Sequence, residues 1–134
     1  MITQIGHAAF RVRDLDAALD FYCGKLGLSE AFRLYHDNGD VWIVYLKVSA
    51  SNFIELFPDA KLDRQAVSGS YQHLCLLVDD MGATLKELAS RGLDILGEPS
   101  VGKDGNLQYW LTDPDGNRIE LMQIMPGSLQ AGAG

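Results

Sequence analysis

Hydrophobic and polar positions along this chain fall into short blocks whose period changes at fixed landmarks. Residues 3–12 and 72–78 are apolar, β-rich runs suited to strands covered on both faces. Each run closes on an aspartate, Asp14 or Asp80, and an amphipathic stretch follows, Leu15–Tyr22 or Met81–Leu88. A short carboxylate at that point can accept from the free N–H groups of a first helical turn, so helices are predicted over 15–25 and 81–91. Gly27 and Gly92 are placed to stop them. Strand-like stretches come next, near 30–35, 41–49 and 52–57, and again near 94–98, 107–112 and 117–124. Asp37-Asn38-Gly39-Asp40 and Asp113-Pro114-Asp115-Gly116 supply turns, because Asn and Asp bond locally to backbone and Gly accepts positive φ.

The same pattern runs through the chain twice. His73 lies 66 residues after His7, each opening an apolar run, and Arg118-Ile-Glu120-Leu lies 65 residues after Phe53-Ile-Glu55-Leu. Several landmarks at nearly one offset indicate an internal duplication. Each half reads βαβββ, over about 3–58 and 71–124. Residues 59–70, with Lys61, Asp63 and Arg64, form the connection between the halves. The tail over 127–134 ends in Gln130-Ala-Gly-Ala-Gly134, too small and flexible to order itself. The expectation is one α+β domain over 1–134, built from two βαβββ modules that cover their apolar faces against each other or against a second chain.

Composition narrows the function classes. At 134 residues with 47% apolar and 22% charged positions, the chain is an ordinary globular domain. Its 11 Lys and Arg against 18 Asp and Glu give a net charge of −7. That balance argues against nucleic-acid binding and against a polybasic membrane surface. Cys23 and Cys75 make neither a disulfide framework nor a CxxC pair. The N-terminal MITQIGHAAFRV has no basic region followed by a long apolar stretch, and no apolar run approaches the ~18 residues of a membrane span. A soluble, cytoplasmic protein is expected.

The duplication also places chemistry. His7, Glu55, His73 and Glu120 fall at equivalent points of the two halves, each within a predicted strand. An ionised Glu inside an Ile-Glu-Leu strand is costly to bury without a partner. One divalent cation shared by two His and two Glu would satisfy all four. Imidazole and carboxylate suit Ni, Zn, Co, Mn or Fe, so ligand type alone leaves the metal open. Cys75, two residues after His73, is either a cavity-lining group or an inert buried thiol. His36, beside a turn, reads as a surface residue, and Trp42, Tyr45, Tyr109 and Trp110 read as core or pocket walls.

These residues carry a family resemblance. His7-x-x-x-Arg11-Val-x-Asp14-Leu, then Phe21-Tyr22 with Leu26-Gly27, then Asp113-Pro-Asp-Gly-Asn-Arg-Ile-Glu120-Leu resemble the vicinal oxygen chelate (VOC) superfamily from His7 through Gln123. That superfamily includes glyoxalases, bleomycin-resistance proteins and dioxygenases. The His, Glu, His, Glu order looks most like bacterial glyoxalase I, the lactoylglutathione lyase. The resemblance implies curled mixed sheets around a metal-binding cavity, with His7, Glu55, His73 and Glu120 as ligands of one divalent ion per site. It implies a homodimer in which His7 and Glu55 of one chain meet His73 and Glu120 of the other, although closure within one chain is an alternative. Arg11 matches the family's contact to the glutathionyl part of the substrate, and Lys103 is a looser match to a second basic contact. Where the family commonly has an Asn shortly after the first-half Glu, this chain has Asp59, a poor partner for the carboxylates of glutathione.

The implied reaction is proton transfer beside a carbonyl. A 2-oxoaldehyde–thiol hemithioacetal would become a 2-hydroxyacyl thioester through an enediolate, with Glu120 or Glu55 as the base and glutathione or another thiol as cosubstrate. The alternatives are another enzyme of the superfamily, an epimerase or a fosfomycin-type thiol transferase, or a metal-free binding protein like the bleomycin-resistance proteins.

Overall fold

The computed structural model of the chain describes residues 1–63 and 70–134. Of the connecting segment expected over 59–70, residues 64–69, including Arg64, lie outside the described residues. The chain divides into two compact units, Met1–Val67 and Ser68–Gly134.

In both units an aspartate turns a strand into a helix. Strand β1 (His7–Val12) leads to helix α1 (Leu15–Leu19), where the Asp14 carboxylate accepts from the Ala17 N–H at 3.1 Å. Strand β5 (Leu74–Leu77) leads to helix α2 (Met81–Ser90), where Asp80 accepts from Ala83 at 2.8 Å. Both aspartates satisfy amides that a helix start leaves unpaired. Helix α1 widens into a π-helical segment, Asp20–Lys25. The helical runs end alike, at Gly27 (φ +79°) and Gly92 (φ +89°), with Leu28 N–H donating to the Tyr22 carbonyl and Leu93 N–H to that of Leu88.

The first unit continues with β2 (Ser29–Tyr35), β3 (Val41–Lys47) and β4 (Phe53–Pro58). Its sheet order is β1-β4-β3-β2, with β1 and β4 parallel and the other pairs antiparallel. The second unit continues with β6 (Ser100–Val101), β7 (Leu107–Thr112) and β8 (Arg118–Gln123), ordered β5-β8-β7-β6 with β5 and β8 parallel. Two four-stranded mixed sheets with few helices make this an α+β fold, as the sequence predicts. No described helix is long and apolar enough to cross a membrane.

Strand alternation gives each sheet two different faces. In the first unit, Phe10, Val12, Val44, Leu46, Ile54 and Leu56 pack with Ala18, Phe21 and Tyr22 of the helical run, and the Phe10 and Tyr22 rings lie 6.4 Å apart. In the second, Leu111, Ile119 and Leu121 are buried with Met81, Leu85 and Leu88, and the Met81 N–H donates to Gln123 Oε1 at 2.7 Å. Residues between these core positions point to the opposite face, which carries the chemistry.

Three expectations need correction. No strand forms over 94–98. Gly97 turns there at φ +74°, and the Tyr109 hydroxyl takes both the N–H (2.7 Å) and the carbonyl (2.9 Å) of Leu96, groups a sheet would need. The edge strand is instead the two-residue β6. The tail is ordered as helix α3 (Leu129–Ala133), capped by Ser128. Asn106, fully buried, accepts from Met125 N–H at 2.9 Å and donates to Gln130, while Leu129 N–H bonds the Asp104 carbonyl. These bonds tie the tail to the turn before β7. Finally, His73 stands one residue before β5 rather than inside a strand.

Candidate metal-binding half-sites

Glu55 sits at the centre of β4, paired with Ala9 on one side and Tyr45 on the other. Glu120 sits at the centre of β8, between Cys75 and Trp110. Both carboxylates are buried, at 5% and 4% exposure, on the sheet face away from the helix. Burial of an ionised carboxylate demands a partner. Each has a histidine. His7 Nε2 lies 3.5 Å from Glu55 Oε2, and His73 Nε2 lies 3.0 Å from Glu120 Oε2.

The register adds a second partner to each carboxylate, and the two differ. Tyr45 hydrogen-bonds to Glu55, which raises its phenol above the ordinary range, with burial adding to the effect. Cys75 fills the corresponding role toward Glu120. Burial, then the Glu120 charge and a hydrogen bond to it, push the thiol up to about 11. Cys75 is therefore a neutral thiol at physiological pH, and its counterpart in the first unit is Ala9.

Aromatic rings hold the histidines. Tyr45 meets His7 edge-on at 6.5 Å and stacks on Phe32 at 4.2 Å. Trp110 meets His73 edge-on at 4.9 Å, and the Arg118 guanidinium lies 4.2 Å from the centre of the Trp110 ring. Tyr45 and Trp110 read from the sequence only as wall residues, and Arg118 as part of a motif. A signal was present, since Tyr45 and Trp110 are separated by the same 65 residues as Glu55 and Glu120.

The remaining predicted residues are spread out. Arg11 lies on the His7 face of β1, but its guanidinium is 3.9 Å from the Asp59 carboxylate. Lys103 is exposed in the turn between β6 and β7. His36 is exposed against Trp42. Among the described residues, no three His, Cys, Asp or Glu side chains gather into a metal-binding group. Each unit instead brings together one His and one Glu. An imidazole nitrogen and a carboxylate oxygen on a buried face are donor types that suit a divalent cation.

Known proteins share this arrangement of strands. A family model described as the Glyoxalase/Bleomycin resistance protein/Dioxygenase superfamily matches residues 4–121. A protein of Synechocystis sp. named Probable lactoylglutathione lyase is 31% identical over 121 residues, 87% of this chain and 92% of its own length. The metallothiol transferase FosB of Staphylococcus epidermidis is 32% identical over 127 residues, 90% of this chain and 81% of its own. The crystal structure of TnmS3, an antibiotic-binding protein from Streptomyces sp. CB03234, superposes with a TM-score of 0.72 at 26% identity, covering 92% of this chain and 98% of that one. With two four-stranded sheets in one strand order, a His–Glu pair in each unit and a family match over most of its length, the chain belongs to the glyoxalase/bleomycin resistance/dioxygenase (VOC) superfamily.

Proposed function

We propose that this protein is a metal-dependent lyase of the glyoxalase I type, converting the hemithioacetal of a 2-oxoaldehyde and a thiol into a 2-hydroxyacyl thioester. One observation carries the reading: a buried carboxylate against a histidine, at the same register in each unit. The four ligands would be His7, Glu55, His73 and Glu120, with His7 and Glu55 of one protomer meeting the other pair from its partner in a homodimer. A divalent cation bound there would supply Lewis-acid stabilisation of charge developing on the substrate oxygens.

The chain's own groups would move the proton. Glu120 or Glu55 takes the proton from the carbon bearing sulfur, leaving an enediolate, and returns it to the neighbouring carbon. Burial of both carboxylates keeps bulk water from that exchange. Tyr45, from β3, and Cys75, from β5, stand beside Glu55 and Glu120 and would help to orient the two carboxylates. The Arg11–Asp59 pair favours a thiol other than glutathione, because the cation is already engaged.

The test is a turnover screen of metal-reconstituted protein with methylglyoxal and a series of low-molecular-weight thiols, read as thioester formation. Glu120→Gln should lower the rate by about 10²- to 10⁴-fold, the usual contribution of a general base. No turnover with any thiol, or an unchanged rate in Glu120→Gln, would count against the lyase or against that base. Likeness to an antibiotic-binding protein favours a second reading, a metal-free small-molecule binder. Metal analysis separates the two, since a binder of that kind would neither hold nor need a divalent ion.

A further inference from the structure

We infer that Arg118 is an anion-receiving residue of the His73–Glu120 half-site, and that the ligand it takes presents a carboxylate there. The guanidinium lies over the Trp110 ring at 4.2 Å, and Trp110 in turn packs edge-on against His73 at 4.9 Å. Arg118 and Glu120 are alternate residues of β8, so both project from one face, about 7 Å apart along the strand. The Tyr71 hydroxyl donates to the Arg118 carbonyl at 2.9 Å and fixes the start of that strand. A guanidinium held over a ring face keeps N–H donors at its rim that can make two parallel hydrogen bonds to a carboxylate. The cation–π contact also restrains the group before a ligand arrives, which reduces the ordering cost of binding.

Two observations set this arginine apart, the first of them against Arg11, Arg33 and Arg91. Arg11, Arg33 and Arg91 each lie within 4 Å of a carboxylate, on Asp59, Glu30 and Glu87. Among the described residues no Asp or Glu lies that close to Arg118, although acidic groups outnumber basic ones by 18 to 11. The duplication supplies the second contrast. The position equivalent to Arg118 is Phe53, which packs on Tyr45 at 6.2 Å as Arg118 packs on Trp110. A phenyl ring therefore meets the packing need at this place in the fold. The cation adds a charge that packing does not require, on an exposed rim beside a buried His–Glu pair. With Arg11 held by Asp59, the acid group of a substrate or of its thiol half is read by Arg118.

This inference rests on His73–Glu120 being part of a ligand site, but its test reads binding rather than turnover. Trp42→Phe leaves Trp110 as the single tryptophan, directly beneath the proposed contact. In that background, Trp110 fluorescence is titrated with pyruvate, with its neutral amide and with inorganic phosphate. Pyruvate should give a saturable change, the amide none. Arg118→Gln should weaken pyruvate binding roughly 10- to 100-fold, the range of a charge-assisted pair, and Arg118→Lys should weaken it less. Circular dichroism checks the fold of both variants, and the lysine variant keeps the charge should the glutamine variant misfold. Equal binding in wild type and Arg118→Gln, equal binding of the amide, or preference for phosphate would each overturn the assignment. Arg118-dependent pyruvate binding without turnover in the thiol screen would remove the lyase reading alone. Turnover without such binding would remove this one alone.

Discussion

Replacing Glu120 by Met separates a carboxylate kept for function from one kept for the fold. Glu120 is 4% exposed, so a methionine of similar length would bury nearly its whole side chain, worth about 1.5–3 kcal/mol. The variant loses the contact to His73, whose side chain is 32% exposed and can hydrate, which limits that loss to about 1 kcal/mol. It also removes the desolvation cost of a buried carboxylate, which commonly makes such replacements neutral or stabilising. The net expectation for metal-free protein is a gain of about 1–2 kcal/mol. Unfolding entropy for 134 residues is about 0.28 kcal/mol/K, so Tm should rise by about 4–7 °C. The assay is thermal unfolding of chelator-treated protein, repeated with Zn²⁺ or Ni²⁺. Wild type should gain about 10 °C at a hundredfold excess of metal over its Kd, and Glu120→Met should gain little. A variant that melts several degrees lower, beside a wild type indifferent to both metals, would refute the reasoning. The carboxylate would then be a structural group satisfied by His73 and Cys75 without a metal.

Three further outcomes follow from the surroundings of the half-sites. Asp59→Asn releases Arg11 from a solvent-exposed pair at 3.9 Å, so KM for a carboxylate-bearing thiol hemithioacetal should fall by a few-fold while kcat stays constant, an effect within the range of an exposed ion pair. An unchanged KM would mean that Arg11 does not meet the thiol. Cys75, pushed up to about 11 chiefly by burial and then by Glu120, is almost wholly a thiol at pH 8. Its alkylation by iodoacetamide, followed site by site by mass spectrometry, should run about 100-fold slower than that of a free thiol and accelerate as pH rises. The raised value also sets a sign for stability. The folded state holds that proton after the unfolded chain has lost it, so stability falls as pH climbs from about 9 to about 11. A reaction rate at pH 8 equal to that of a model thiol would contradict the burial of Cys75 beside Glu120.

The elements that could be read from the sequence are those specified within a few residues. Asp14 and Asp80 cap helices because a carboxylate and the amides three residues on are fixed neighbours. Gly27 and Gly92 end the helical runs because positive φ is a local demand. The His–Glu pairs were legible for a different reason. Duplication wrote them twice at one offset, so their equivalence could be seen before any contact was known.

Long-range contacts were decided elsewhere. Leu96 reads as a strand residue until the Tyr109 hydroxyl, brought back by β7, takes both of its backbone groups. The tail reads as unstructured until buried Asn106 bonds to it. That Glu55 meets a phenol and Glu120 a thiol depends on strand register. So does the place of Arg118 on Trp110 rather than on a carboxylate. Register is a property of the whole sheet, and a one-residue slip would turn every one of these side chains to the other face. The sequence by itself determined which residues recur, where the helical run of each repeat begins and ends, and the superfamily. Only the tertiary structure decided what each recurring residue touches, because side chains far apart in the chain meet only once the strands between them are paired.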